Sequence, residues 1–412
     1  MIIWFVRIGE FTVDEQKLLE TLAERKAEMA ERLCELVAIP TANPPGQACR
    51  ECVGYLSELL TSWGIEHQVL DGPGGGGERP SIVGRCGEGA SALHFHGHYD
   101  VVPAASPDQF RPRREGDRVF GRGSADMKGG LLAMLFALRA VRDAGIRPGT
   151  ALTFSLVPDE ETGGEAGTAH LFRIGALPPM PLSGMIMPEP TGGAVWHASK
   201  GALTYEILTR GTFAHVGLAH RGDNAFEHLV ALAADFLELK KVVDARRTAL
   251  SVLPPGADRS VLLLGGQCGS GSNFNVVPDR AFFTLDRRFN PEELPVSVRA
   301  EIEAVLHRHR QRGGVVESRV TQEAEAAVSD PRSPAGEALS QAIRNVTGTA
   351  PPFRLCPGVC EIRFFARVGV PAFAYGPGRL EDAHSPDEHV ELADLVTCAK
   401  VYVQAAVRMS PP

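Results

Sequence analysis

Two short, largely apolar runs, Ser91 to His96 and Leu152 to Val157, flank a helical stretch from Gly130 to Ala144 that stops at Gly145. Strand, helix and strand in that order predict a parallel α/β sheet. Ahead of them, Val13 to Leu36 is charged with apolar residues at helical spacing, and Ala38 to Gln47 supplies the Pro, Asn and Gly of a loop. After Pro188 to Gly193 the texture changes. Leu203 to Thr209, Ser260 to Leu264 and Ala281 to Asp286 read as strands, and Ala225 to Val242 and Val296 to His307 as helices, the pattern of an inserted α+β domain. Helical texture at Pro334 to Val346 and apolar runs around Phe364 and Ala372 to Tyr375 then return to the first pattern. Two domains are the expectation for 412 residues.

The 42 basic and 50 acidic residues give a net charge of -8 with no basic stripe, which argues against nucleic acid or anionic lipid as partner and for a small substrate. The start, MIIWFVRIGEF, has six apolar residues before Arg7 and no small-residue cleavage site, so no secretory signal or membrane span is expected and a cytoplasmic protein is the default. Eight scattered cysteines form no disulfide framework. Cys49 with Cys52, and Cys356 with Cys360, lack the second pair that a structural zinc would need. The glycine-rich stretch Gly72 to Glu78 has no phosphate-loop ending and is an exposed loop.

Chemistry concentrates where apolar runs end. His98 lies just past a buried strand, and Asp100, two residues on, falls on the same side, placed to accept the second ring N–H of a metal-binding histidine. His94 and His96 share the alternation but lie inside the strand, where packing or hydrogen bonding is the expected role. Asp126 sits in the Gly-flanked turn Gly121 to Gly130, where a helix N-cap is the ordinary reading. Asp159-Glu160-Glu161 follows Leu152 to Val157 directly. Carboxylates crowded there raise one another's pKa unless a cation compensates. Glu189 is held between Pro188 and Pro190, and His384 falls in a loop after an apolar run; each alone reads as a surface turn residue. These oxygen- and nitrogen-rich loops suit zinc, and no HExxH or GxSxG motif competes.

In kind, order and spacing these motifs resemble the co-catalytic zinc family of aminoacylase, carboxypeptidase G, acetylornithine deacetylase and succinyl-diaminopimelate desuccinylase, from about Leu33 to Val401. The resemblance implies an α/β zinc-peptidase-like catalytic domain at residues 1–199 and 322–412, with a mixed, mostly parallel sheet flanked by helices. A smaller α+β lid and dimerisation domain at 200–321 interrupts it. It implies two Zn2+ per subunit, replaceable by Co2+ or Mn2+, with His98 and Glu189 on one, Glu161 and His384 on the other, and Asp126 bridging, its peptide bond to Met127 cis. Glu160 is then the general acid/base. Gly211-Thr212-Phe213-Ala214-His215 matches an element whose histidine crosses a homodimer as oxyanion donor. Asn275 and Arg288 match lid residues that hold a substrate carboxylate, their ordinary readings being a turn residue and a surface ion-pair partner.

Where many members have Gly-Gly-Thr-Asp-x-Arg, this chain has Gly358-Val359-Cys360-Glu361-Ile362-Arg363. The backbone role of Gly358 at the substrate is retained, while selectivity inherited from any one member is open. The expected reaction is hydrolysis of an N-acyl amino acid by metal-activated water, with a dipeptidase or carboxypeptidase as the alternative. A catalytically silent binding protein is a remoter one, since it has no chemical need for Glu160.

Overall fold

A computed structural model describes residues 7–8, 11–75, 77–145 and 150–409. The chain forms two compact units, one of Met1–His197, Ser329–Phe353 and Phe364–Pro412, the other of Ala198–Val328 and Arg354–Arg363.

Across the sheet of the first unit the strand order is Val195–Ser199, Ala372–Gly376, Leu182–Pro190, Ala92–His98, Ala151–Val157, Ser81–Cys86 and Glu66–Leu70. From Ala372–Gly376 to Ala151–Val157 neighbouring strands run parallel, and the flanking pairs are antiparallel. The strands Ala92–His98 and Ala151–Val157 are buried along their whole length, which is why they read as apolar runs rather than alternating ones. Between them the helix Gly129–Asp143 is apolar nearly all round, because it packs against the sheet and also against the helix Leu392–Arg408. Leu131, Leu135, Phe95, Phe154, Leu395 and Tyr402 belong to the core so formed.

Three local expectations are corrected. The long N-terminal helix is two, Val13–Glu24 and Lys26–Val37, interrupted at Arg25. His98 is the last residue of its strand and does not follow it. Asp126 is not a helix N-cap: its backbone is extended (φ -117°, ψ 100°), and the helix begins only at Gly129 with Lys128 as its cap. The first residues of the MIIWFVRIGEF segment lie outside those described. Among the described residues no helix is long and apolar enough to cross a membrane. Cys49 and Cys52 lie in the first turn of the helix Cys49–Ser62, buried, and none of the eight cysteines is assigned to a disulfide.

The second unit is a four-stranded antiparallel sheet in the order Val261–Ser270, Arg280–Phe289, Gly201–Arg210 and Val315–Ala324. Burial alternates along Arg280–Phe289, so one face of the sheet is covered. Leu203, Tyr205, Phe283 and Leu285 meet Leu232 and Phe236 of the helix Ala225–Asp244 and Ile302 and Leu306 of Pro295–Gln311. The strand Val315–Ala324 is additional to the three read from sequence and runs through the expected boundary at 321; the unit continues to Val328 and takes in 354–363.

Candidate metal centre

Four parallel strands of the first unit deliver one loop each to the same edge of the sheet, the carboxyl edge where α/β proteins place their ligands. His98 closes the first of these strands, Glu160 and Glu161 open the turn after Val157, Glu189 is next to last in Leu182–Pro190, and His384 follows Ala372–Gly376. Asp126 comes from the connection between His98 and the helix Gly129–Asp143, and the Asp126–Met127 peptide is cis. His384 adopts φ 60°, a left-handed conformation unusual for a residue with a side chain.

These side chains converge in two groups that share one carboxylate. His98 Nε2 lies 3.2 Å from Asp126 Oδ1 and 3.7 Å from Glu189 Oε1. His384 Nε2 lies 3.3 Å from Asp126 Oδ2 and 3.3 Å from Glu161 Oε1. Within each group the donor atoms all lie within 4.8 Å of one another. Asp126 thus turns one oxygen to each group.

Electrostatics makes this arrangement costly without a cation. Burial opposes charge on His98, yet the Asp100 and Asp126 carboxylates carry its pKa well above the usual value. Asp126 and Glu161 raise His384 to about 10. Burial would raise Asp126, but His384 and His98 hold it well below the usual carboxylate range, whereas burial pushes Glu161 up. His98 Nε2 and Glu161 Oε1 are buried and in no hydrogen bond. Three carboxylates and two imidazoles with such unsatisfied atoms fit a pair of divalent ions, which replace the protons that the histidines must otherwise hold.

Around the groups stands a hydrogen-bonded frame. His98 Nδ1 lies 3.0 Å from the Asp100 carbonyl oxygen and 3.4 Å from its Oδ1, so backbone and carboxylate both face the ring nitrogen turned away from the cluster. The Asp100 carboxylate also accepts the backbone N–H of Glu160 at 3.2 Å and of Glu161 at 3.3 Å, and Asn43 Nδ2 at 2.8 Å. Asp159, at φ 81°, accepts from Asn43, Arg79, Thr162 and the Ala166 amide. Lys128 is buried and donates to the carbonyls of Leu36 and Ile39 at 3.0 and 2.7 Å, tying the Asp126 turn to the end of the helix Lys26–Val37. Asn43, Arg79 and Lys128 were not found by sequence reasoning, marked by nothing but an unusual density of polar residues beside buried strands, and Asp159 was read only as part of the acidic run. His94 and His96 are buried under the site and hydrogen-bond Thr153, Ser155 and Thr168, a packed role as expected.

The remaining candidates lie in the second unit. His215 is exposed and caps the short helix Val216–Arg221, its Nδ1 accepting the Gly217 N–H at 3.1 Å. His215 pairs with Val276, and the Asn275 carbonyl accepts from Val216, so these two candidates are neighbours. Arg288 is engaged with Asp286 through both arms, at 2.8 and 2.9 Å. The Gly358 carbonyl accepts the Lys200 N–H at 3.0 Å, and the departures Cys360 and Glu361 are both buried.

Residues 94–408 match the sequence model of peptidase family M20/M25/M40. The chain belongs to this family. As an M20 protein it is a metal-binding hydrolase of amide or peptide bonds. The M20 chain is 29% identical over 392 residues to a succinyl-diaminopimelate desuccinylase of Alkalilimnicola ehrlichii, covering 91% of this chain and 97% of that one. It is 31% identical over 337 residues to the enzyme of the same name from Gluconobacter oxydans, covering 79% and 83%. Among solved structures, a dipeptidase of Saccharomyces cerevisiae superposes with a TM-score of 0.76 at 16% identity over 97% of this chain and 99% of that one. A Bacillus subtilis peptidase of the M20 family, described as binding a dinuclear metal, superposes at 0.67 with 15% identity over 94% and 98%.

Proposed function

We propose that this M20 protein hydrolyses the amide bond of an N-acyl amino acid, a deacylase of the desuccinylase and deacetylase kind, at a pair of zinc ions. The observation that carries the reading is the split of Asp126 between two complete donor groups. His98 and Glu189 would hold one ion, Glu161 and His384 the other, with Asp126 common to both; nitrogen and carboxylate donors without thiolate suit zinc, with Co2+ or Mn2+ as substitutes. Such a pair polarises a carbonyl and makes water acidic near neutral pH.

Glu160 occupies the same turn as Glu161, is half-buried, and has its amide fixed by Asp100. It takes the proton of the attacking water and returns it to the leaving amine. Asp100 orients His98 and the acidic turn together. His215, whose Nδ1 lone pair is used by the Gly217 amide, carries its neutral-state proton on Nε2 and is a donor for a developing oxyanion, supplied across a homodimer. Asn275 and Arg288 hold the substrate carboxylate, Arg288 exchanging Asp286 for it, and the loop of Gly358 faces the substrate.

Self-association is supported by apolar side chains left in water. Phe226, Val230 and Leu237 share one face of the helix Ala225–Asp244 and are 47, 52 and 49% exposed, and Leu263 on the edge strand is 54% exposed. Eight cysteines with no disulfide assigned suit a reducing compartment, the cytoplasm.

The test is a panel of N-succinyl, N-acetyl, N-formyl and N-carbamoyl amino acids and dipeptides, assayed with zinc-loaded, cobalt-loaded and chelated protein. Turnover of an N-acyl amino acid that chelation removes and zinc restores is the expected result. Preference for dipeptides throughout would move the assignment to the peptidase branch, and no turnover with two bound ions would leave a binding protein.

A further inference from the structure

Glu388 belongs to neither donor group, yet its carboxylate is among the most enclosed in the first unit, with the side chain fully buried and that of its partner Arg122 3% exposed. One oxygen, Oε1, accepts three amides of a single turn: the backbone N–H of Gly123 at 2.9 Å, of Ala125 at 3.1 Å and of Asp126 at 3.1 Å. Convergent amides of this kind form a nest for an anion, and here the anion is supplied by the chain itself from 262 residues away. The other oxygen, Oε2, meets Arg122 Nη1 at 2.5 Å. Arg122 Nη2 donates to the backbone carbonyl of His384 at 3.2 Å. The carboxylate therefore grips the backbone of Asp126, and through Arg122 the backbone of His384, two residues whose side chains stand 3.3 Å apart.

We propose that Glu388 is a positioning residue, which with Arg122 sets the spacing of the Asp126 turn and the His384 loop and so tunes the ion position formed by Asp126, Glu161 and His384. The proposal rests on the reading of the two donor groups as ion positions. A buried ion pair that only stabilised the fold would weaken both positions together. A clamp joined to Asp126 and His384 holds two members of that position but only the shared Asp126 of the other, so its loss weakens that position more.

Metal-free full-length protein is titrated with Co2+, followed by visible absorption and by competition with a chelator. His384→Ala and Glu189→Ala identify which of two equivalents belongs to which group. Glu388→Gln keeps one acceptor oxygen but turns an amide toward Arg122; it should weaken the equivalent that His384→Ala abolishes by about 10- to 100-fold and the other, which shares Asp126 but has no arm to His384, distinctly less. Arg122→Lys keeps the charge opposite Glu388 and loses the arm to His384, so it should give a smaller loss at the same equivalent. Should Glu388→Gln not fold, Arg122→Lys alone decides. Unchanged affinities, or equal weakening of both equivalents, overturn the clamp. A wild type that binds a single equivalent overturns the reading beneath it instead.

Discussion

A methyl group placed on Gly130 would stand 2.0 Å from the carbonyl oxygen of Pro188. The helix that follows Asp126 and the strand that carries Glu189 thus touch backbone to backbone, and no side-chain rotation can relieve the contact. Gly130→Ala should push Asp126 and Glu189 apart and cost about 1–3 kcal/mol of stability. Weaker binding at the position shared by His98, Asp126 and Glu189 is expected, read by chelator competition alongside thermal unfolding. Wild-type affinity in a destabilised variant would show that the strand yields without moving Glu189.

Glu160 and Glu161 are adjacent in one turn but have different expected phenotypes. Glu160→Gln should retain both ions and lose about 10²- to 10⁴-fold in turnover, the usual contribution of a positioned acid/base. Glu161→Ala should lose or weaken one ion, because its Oε1 belongs to the His384 group. Equal metal content in the two purified variants would contradict this division.

His94 predicts an acid limb to stability that is independent of the metals. Its ring is fully buried, and burial holds its pKa well below the ordinary value. The unfolded chain takes up this proton below about pH 6.5, while the folded chain does not. Stability is therefore present above about pH 6.5 and lost as pH falls, by up to about 1.4 kcal/mol per unit. In metal-free protein His98 and His384, held above their usual values, stay protonated through this window and add nothing to the slope. Urea unfolding of the metal-free wild type and of His94→Gln at several pH values should show a flatter limb for the variant. Parallel limbs would assign the slope elsewhere.

His215→Ala should lower turnover with little loss of metal, since no donor group contains it. Supply across a dimer adds a sharper expectation: mixing His215→Ala with Glu160→Ala restores activity, because one site of a mixed dimer has both residues intact. Verified subunit exchange without recovery would return His215 to its role as the cap of Val216–Arg221.

His98, Glu160, Glu161 and Glu189 were legible as candidates because each stands where an apolar run stops abruptly at an acid or a histidine. His98 after the run from Ser91, Glu160 and Glu161 after Leu152 to Val157, and Glu189 between prolines all carry that mark. Glu388 carries none. In Pro386-Asp387-Glu388-His389 it reads as one more surface charge, and its burial exists only once the Gly123–Asp126 turn folds around it. The strand Val315–Ala324 was hidden for a related reason: Glu317, Arg319 and Glu323 sit on a half-exposed surface and break the apolar signal. The break between the first two helices falls at Arg25, where neither Gly nor Pro announces it.

Asp126 shares its two oxygens between partners that lie before and after it in the chain, and the order of synthesis then matters. His98, Asp126, Glu161 and Glu189 are synthesised before the second unit begins at Ala198, and at ordinary elongation rates roughly 10–40 s pass before His384 follows. During that interval the first donor group has all its members while the second lacks its histidine. Completion of the two groups is thereby ordered in time: the first can have all its donors before the chain is finished, and the second is complete only with the last stretch of the polypeptide.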